Sequence, residues 1–185
     1  MPAWGGVAAL TALCLLAGCA REPLRDEGPA PTASHSGLSR GPDLRRLNVR
    51  ELLLADPLVR AEVKTAIRDC ARGCGLDQTV YADLTGDDVE ELRVSIDSGT
   101  GRGTMAAYVY GVQSGAVRQL WAYHGADFSV TVENGQLVLN RELFRPGDFD
   151  EPPVAEEIIG LHWERGRFVE VSLTGAQPGL VPNTW

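Results

Sequence analysis

Three two-residue turns divide the second half of the chain into antiparallel hairpins. Ser114-Gly115, Asn134-Gly135 and Arg165-Gly166 each lie between runs in which apolar and polar residues alternate. Glycine adopts the positive φ that a tight hairpin turn requires, and alternation with a period of two is typical of a strand with one buried face. The pattern predicts an antiparallel meander of about seven to eight strands.

A helical segment precedes these strands. Residues 47–55 have a helical composition, and Asp56-Pro57 is predicted to begin a second helix, with aspartate as the N-cap and proline as the first helical residue. Apolar residues then recur at helical spacing as far as Cys70. The expected fold class is therefore α+β, with the N-terminal helix packed on the antiparallel meander.

The chain opens with a short apolar run that ends at a cysteine. Residues 7–17 read VAALTALCLLA, which is too short to span a bilayer but has the length of the apolar core of an export signal. The sequence Leu16-Ala17-Gly18-Cys19 resembles the lipobox of bacterial lipoproteins. This resemblance implies that Cys19 carries a diacylglyceryl group, that residues 1–18 are a signal peptide, and that the mature protein is anchored by lipid to the extracytoplasmic face of the cell membrane.

Two alternatives to this N-terminal reading stay open. An ordinary export peptidase would also cleave after such a run, and Cys19 would then be a bystander. No charged residue precedes Arg21, whereas signal peptides usually begin with a basic segment. Translation that starts upstream of Met1 would explain the difference.

The composition predicts one folded domain on a flexible tether. Residues 19–43 are rich in Pro, Gly, Ser, Ala and Thr and are expected to form a lipidated tether; residues 44–175 form a single α+β domain, and residues 176–185 a C-terminal tail. The formal net charge of −8 argues against binding to nucleic acid or to anionic lipid headgroups.

Two further cysteines are predicted to form a disulfide. Cys70 and Cys74 lie in the segment CARGC, which would close a small loop at the end of the helical region in an oxidising compartment. The loop is short, so the expected stabilisation is only about 2 kcal/mol. A redox pair or a metal site is the alternative, although the usual CxxC spacing is absent.

The segment DLTGDDVEEL resembles the calcium-binding loops of integrin-type repeats. Hard oxygen ligands at alternate positions of a curled loop suit Ca²⁺. The expected ligands are Asp83, Thr85, Asp87, the Val89 carbonyl and Glu91. Asp88 departs from the motif, which has glycine there to adopt a positive φ. The alternative is a hairpin turn with hydrated carboxylates, which would link strands at 78–84 and 90–97.

A second acidic segment, residues 145–157, is interrupted by prolines. Its carboxylates are Asp148, Asp150, Glu151, Glu156 and Glu157. This segment is a candidate partner surface or a second cation site, and a solvated loop is the alternative.

No sequence motif indicates catalysis. The three histidines, His35, His124 and His162, belong to no recognisable catalytic or metal-binding motif. We therefore expect a protein that is not an enzyme and has no cofactor, apart from the Ca²⁺ that the loop motif suggests.

Taken together, the lipobox, the tether, a small domain and the DLTGDxxxEL turn resemble actinobacterial envelope lipoproteins of the CseA type. Of the 17 basic residues only Lys64 is lysine, which is typical of a GC-rich genome. The resemblance implies a lipoprotein encoded beside a sigma factor and a two-component system for envelope stress. It would modulate that signalling, with the extracytoplasmic domain of a sensor kinase as a partner, or stabilise the envelope. A binding module for Ca²⁺ or a cell-wall ligand and an enzyme acting on cell-wall material stay open as alternatives.

Overall fold

The computed structural model describes residues 41–69, 76, 78–99, 103–175 and 177–184. A 3₁₀ helix, Leu44–Arg46, precedes two short α-helices, α1 (Val49–Ala55) and α2 (Ala61–Asp69). The strands that follow are β1 (Gln78–Ala82), β2 (Glu91–Asp97), β3 (Thr104–Gln113), β4 (Ala116–His124), β5 (Phe128–Glu133), β6 (Gln136–Phe144), β7 (Ala155–Glu164), β8 (Arg167–Ser172) and β9 (Val181–Pro182).

The three predicted hairpins are confirmed. The turns at Ser114-Gly115, Asn134-Gly135 and Arg165-Gly166 join β3 to β4, β5 to β6 and β7 to β8, and each pair is antiparallel. Both residues of every turn have a positive φ, between 51° and 80°. These are the dihedral angles of type I′ turns, whose twist matches that of the flanking strands.

The strands form two separate sheets. The first sheet has four strands in the order β1-β2-β3-β4, and the second has five, in which β5-β6-β7-β8 follow the chain and β9 pairs with β6. The β9 strand lies in the segment predicted to be a C-terminal tail, and its residues pair with Leu143 and Phe144. The chain passes from the first sheet to the second through a short corner, where Asp127 has a φ of 58°.

The predicted α+β class, with a helix on one meander of seven to eight strands, is wrong. The described part of the chain is mostly β, and its strands divide into sheets of four and five with only two short α-helices. One face of the first sheet packs against the helices, and its opposite face packs against the second sheet. Two stacked sheets were missed because local alternation predicts which strands pair in a hairpin, but not which hairpins share a sheet.

Two cores account for this layering. Buried residues of the helices, including Leu53, Val63 and Ile67, pack on the face of the first sheet that carries Val94 and Tyr108. The opposite face of that sheet packs on one face of the second sheet in a core that contains Ala107, Val109, Val130, Leu139 and Leu161. Strand β2 therefore has neighbours on both faces, and its residues from Glu91 to Ile96 are all buried.

The second helix of the N-terminal segment begins later in the sequence than predicted. Asp56 follows α1, and α2 starts only at Ala61. The Asp56 side chain instead accepts a hydrogen bond from the backbone N–H of Leu58 at 2.9 Å and one from the Tyr110 hydroxyl at 2.7 Å. Asp56 thus stabilises the turn between the helices and joins that turn to the first sheet.

Candidate functional site

The turn between β1 and β2 is organised by the carboxylate of Asp83. This carboxylate accepts hydrogen bonds from the backbone N–H groups of Gly86 at 2.7 Å, Asp87 at 3.2 Å and Asp88 at 3.0 Å. Desolvation alone would raise the pKa of Asp83, but the hydrogen bonds from Gly86, Asp88 and Asp87 outweigh it and lower this pKa. Asp88 has a φ of 62°, the left-handed conformation for which the motif has glycine.

Glu91 closes the same turn from its other end. Its Oε2 accepts hydrogen bonds from the backbone N–H groups of Leu84 at 2.8 Å and Thr85 at 3.1 Å, and the Thr85 hydroxyl lies 3.4 Å from Oε1. Glu91 is only 3% exposed, and burial raises its pKa. The backbone donors oppose this rise, while the negative charges of Asp87 and Asp83 add to it.

The remaining predicted calcium ligands make hydrogen bonds within the turn. The Thr85 hydroxyl contacts Glu91, and the backbone N–H of Asp87 donates to Asp83. Asp87 accepts a hydrogen bond from the backbone N–H of Val89 at 3.0 Å, and the Val89 side chain is 48% exposed. Within the described ranges, no group of three or more His, Cys, Asp or Glu side chains is placed to hold a metal ion. Backbone donors satisfy Asp83 and Glu91, so the calcium site stays a prediction from the motif.

The five predicted partner-surface carboxylates fall into different environments. Asp148, Asp150 and Glu151 lie on the exposed loop between β6 and β7, whereas Glu156 and Glu157 belong to β7. The Glu157 carboxylate accepts hydrogen bonds from Arg141 Nη2 at 2.8 Å and Nε at 3.0 Å. Both side chains of this ion pair are less than a fifth exposed, so the Glu157 carboxylate is partly buried and neutralised by Arg141.

Glu156 is instead part of an acidic cavity at one end of the second sheet. Glu142 pairs in register with Glu156, and the backbone N–H of Glu142 donates to the Asp127 carbonyl at 3.0 Å. These three residues line a cavity of about 400 Å³ with Gly103, Thr104, Phe128, Ser129 and Asn140. Burial raises the pKa of Glu142, and the charges of Asp127 and Glu156 raise it further.

Sequence reasoning did not identify Asp127 or Glu142. These residues stand apart from Glu156 in the sequence, and the register of β6 against β7 brings Glu142 beside it. The connection between these strands, residues 145–154, is too long for the turn type to fix that register. A correct pairing of Asn140 with Ile158 is the signal that would have placed Glu142 beside Glu156.

A second polar cluster lies between the helices and the first sheet. The Tyr108 hydroxyl is 2.9 Å from His124 Nε2, and the Tyr110 hydroxyl donates to Asp56. Burial raises the pKa of Tyr108 to about 12 and raises that of Tyr110 as well. Burial also lowers the pKa of His124, which favours its neutral form. The cluster connects two packed layers.

The predicted covalent sites lie outside the described residues. Cys19, Cys70 and Cys74 belong to segments that the structure does not describe. Neither α-helix of the described ranges is long and apolar enough to cross a membrane.

Two curated relatives are similar to most of this chain. Lipoprotein CseA of Streptomyces avermitilis is 26% identical over 156 residues, which cover 81% of this chain and 72% of the relative. Lipoprotein CseA of Streptomyces coelicolor is 27% identical over 170 residues, which cover 84% of this chain and 75% of the relative. No protein-family model matches, and no solved structure matches significantly. The similarity confirms the resemblance predicted from the sequence and supports a lipoprotein of the CseA type.

Proposed function

We propose that this protein is a lipid-anchored extracytoplasmic lipoprotein that modulates envelope-stress signalling by contacting a membrane-bound partner. The observation that carries the proposal is the similarity to two lipoproteins named CseA over about four fifths of the chain. The extracytoplasmic domain of a sensor kinase is the partner that we propose.

The proposed mechanism depends on the anchor and the tether. A diacylglyceryl group at Cys19 supplies two acyl chains, and burial of each methylene group contributes about 0.8 kcal/mol, so two chains give stable membrane attachment. A flexible tether over residues 20–43 would span about 25 to 30 Å on average. The domain would then meet other membrane proteins at a high effective concentration, and a weak contact would suffice for regulation.

Deletion of the gene tests this function. We expect a reporter driven by an envelope-stress promoter to change its output in the deletion strain, and expression of the wild-type protein to restore it. Unchanged output, together with hydrolysis of cell-wall material by the purified protein, would contradict the proposal and favour an enzyme. A stability increase with Ca²⁺ and unchanged promoter output would favour a binding module.

A further inference from the structure

The second sheet has one face that packs on the first sheet and one that we call the open face. The open face is the side of β5–β8 that carries Thr131, Val138, Ile158 and Val171, opposite the residues of the shared core. The helical residues of the two cores all pack on the first sheet, and in the described ranges no helix packs on the open face.

Aliphatic side chains lie together on this face because of the strand register. Val138 pairs with Gly160, which pairs with Val171, so the three residues form a row across β6, β7 and β8. Val138 is only 9% exposed, so the accessible apolar part of the row is Val171. In the adjacent row, the backbone N–H of Leu173 donates to the Ile158 carbonyl at 2.7 Å. Val171 and Leu173 are 44% and 56% exposed, which is unusual for neighbouring large apolar side chains.

Gly160 allows a polar side chain to lie across the middle of the open face. A Cβ atom at this position would lie 2.5 Å from Gln136 Nε2, and that amide contacts His162 Nε2 at 3.0 Å. The glycine therefore leaves room for the Gln136 side chain to lie across β7.

The acidic cavity lies at one end of the open face. Asn140 lines this cavity and pairs with Ile158, so the carboxylates of Glu142 and Glu156 lie one row from the aliphatic side chains. Of the eight described residues that line the cavity, three are acidic and none is basic. Mutual repulsion of these carboxylates would be relieved by a bound cationic group.

We propose that the open face binds a basic and partly aliphatic segment of a protein partner, with an arginine or lysine at Glu142 and Glu156 and aliphatic side chains over Val171 and Leu173. This inference rests on the proposed function and specifies the surface and the chemistry of its partner. The carboxylates would repel anionic lipid headgroups, and the net charge of −8 opposes association with a second copy.

Binding of a model peptide tests the surface directly. The probe is a short fluorescent peptide of alternating valine and arginine, and the protein is the full lipidated chain in neutral detergent. Glu142→Gln with Glu156→Gln should weaken binding about tenfold, because both charges that attract the cationic side chain are removed. The matched control Asp148→Asn with Asp150→Asn removes the same charge from the exposed loop and should change binding less than about twofold.

A second pair of variants tests the aliphatic part. Leu173→Ser should weaken binding of the peptide, whereas Leu58→Ser should not, because Leu58 is 64% exposed but lies beside the helices. Thermal unfolding of each variant verifies that it is folded. Equal losses in the test and control variants, or no binding by the wild-type protein, would overturn the inference.

The oligomeric state in solution tests whether a second copy of the protein occupies the open face instead. Light scattering should give a monomer for both wild-type protein and Leu173→Ser in detergent. A wild-type dimer that Leu173→Ser dissociates would assign the open face to a second copy and overturn the inference.

The outcomes also separate this inference from the proposed function. If the Glu142 and Glu156 variants lose the peptide while gene deletion leaves stress-promoter output unchanged, the surface is correct and the signalling function is wrong. If deletion changes the output but those variants bind peptide and signal as the wild type does, the surface is wrong and the function stands.

Discussion

Removal of the Glu91 carboxylate should destabilise the protein more than removal of the exposed Asp87 carboxylate in the same β1–β2 turn. Glu91→Ala leaves the backbone N–H groups of Leu84 and Thr85 without their acceptor. A buried donor without a partner costs about 1 to 3 kcal/mol, and Leu84 is buried whereas Thr85 is partly exposed. We therefore expect a loss of about 2 to 4 kcal/mol in the free energy of unfolding.

Urea unfolding at neutral pH, followed by tryptophan fluorescence, measures this loss. Glu91→Gln keeps a neutral acceptor oxygen and removes repulsion from Asp83 and Asp87, so its cost should be about 1 kcal/mol or less. Asp87→Asn is the matched control, because Asp87 is exposed and accepts only one local hydrogen bond. A loss for Glu91→Ala no larger than that for Asp87→Asn would refute the reasoning.

The same assay separates a turn satisfied by its own backbone from an ion site. The hydrogen bonds to Asp83 and Glu91 account for both carboxylates without a cation. A calcium-dependent rise in the wild-type midpoint that Glu91→Gln abolishes would show that these side chains bind the ion. That result would contradict a purely structural role for the turn.

Three further predictions concern the layers of the fold. Tyr110→Phe removes the hydroxyl that donates to Asp56, so urea unfolding should show a loss of about 1 to 2 kcal/mol in the free energy of unfolding. An unchanged urea midpoint would contradict this contact. Tyr108 has a pKa of about 12 in the folded protein, whereas an unperturbed tyrosine ionises near pH 10. The stability that depends on neutral Tyr108 is present below about pH 10 and should be lost as the pH rises towards 12, a loss that Tyr108→Phe should reduce in alkaline unfolding experiments. Arg93 is 2% exposed, and among the described residues its guanidinium donates hydrogen bonds only to Ser95 and Gln78. Arg93→Met with Ser95→Ala should therefore raise the free energy of unfolding by about 1 to 3 kcal/mol; a lower thermal midpoint would contradict this.

Local features of the fold were predictable because they depend on neighbouring residues. The turn at Asn134-Gly135 requires positive φ at two successive positions, and glycine together with asparagine adopts that conformation readily. The pairing of β1 with β2 was also a local feature, because a short polar segment joins two runs of strand residues. Each of these predictions depends on a few consecutive residues.

The layering was not predictable from the same pattern. Arg93 and Ser95 alternate with apolar residues in β2, a pattern typical of a strand with one exposed face, whereas both are buried between the sheets. Ser95 Oγ accepts a hydrogen bond from Arg93 Nη1 at 2.7 Å, which allows two polar side chains to occupy the interface together. A polar residue at an alternate position therefore does not establish that a strand has an exposed face.

Two neighbouring acidic residues of β7 also have environments that the sequence pattern does not predict. Glu156 and Glu157 are consecutive, but adjacent residues of a strand point to opposite faces. Glu157 forms a partly buried ion pair with Arg141, while Glu156 lines the acidic cavity at the end of the open face. A charged segment in the sequence thus contributes to two unrelated environments.

The most direct test of the whole account is whether function depends on attachment to the membrane. In a deletion strain, the stress-promoter output would be measured with wild-type protein, with an unlipidated protein in which an ordinary cleavable export signal replaces residues 1–19, and with the same unlipidated protein fused to an unrelated membrane anchor. We predict that the wild-type and re-anchored proteins restore normal output and that the unanchored protein does so poorly, because its local concentration falls. Full restoration by the unanchored protein at equal abundance would contradict the account.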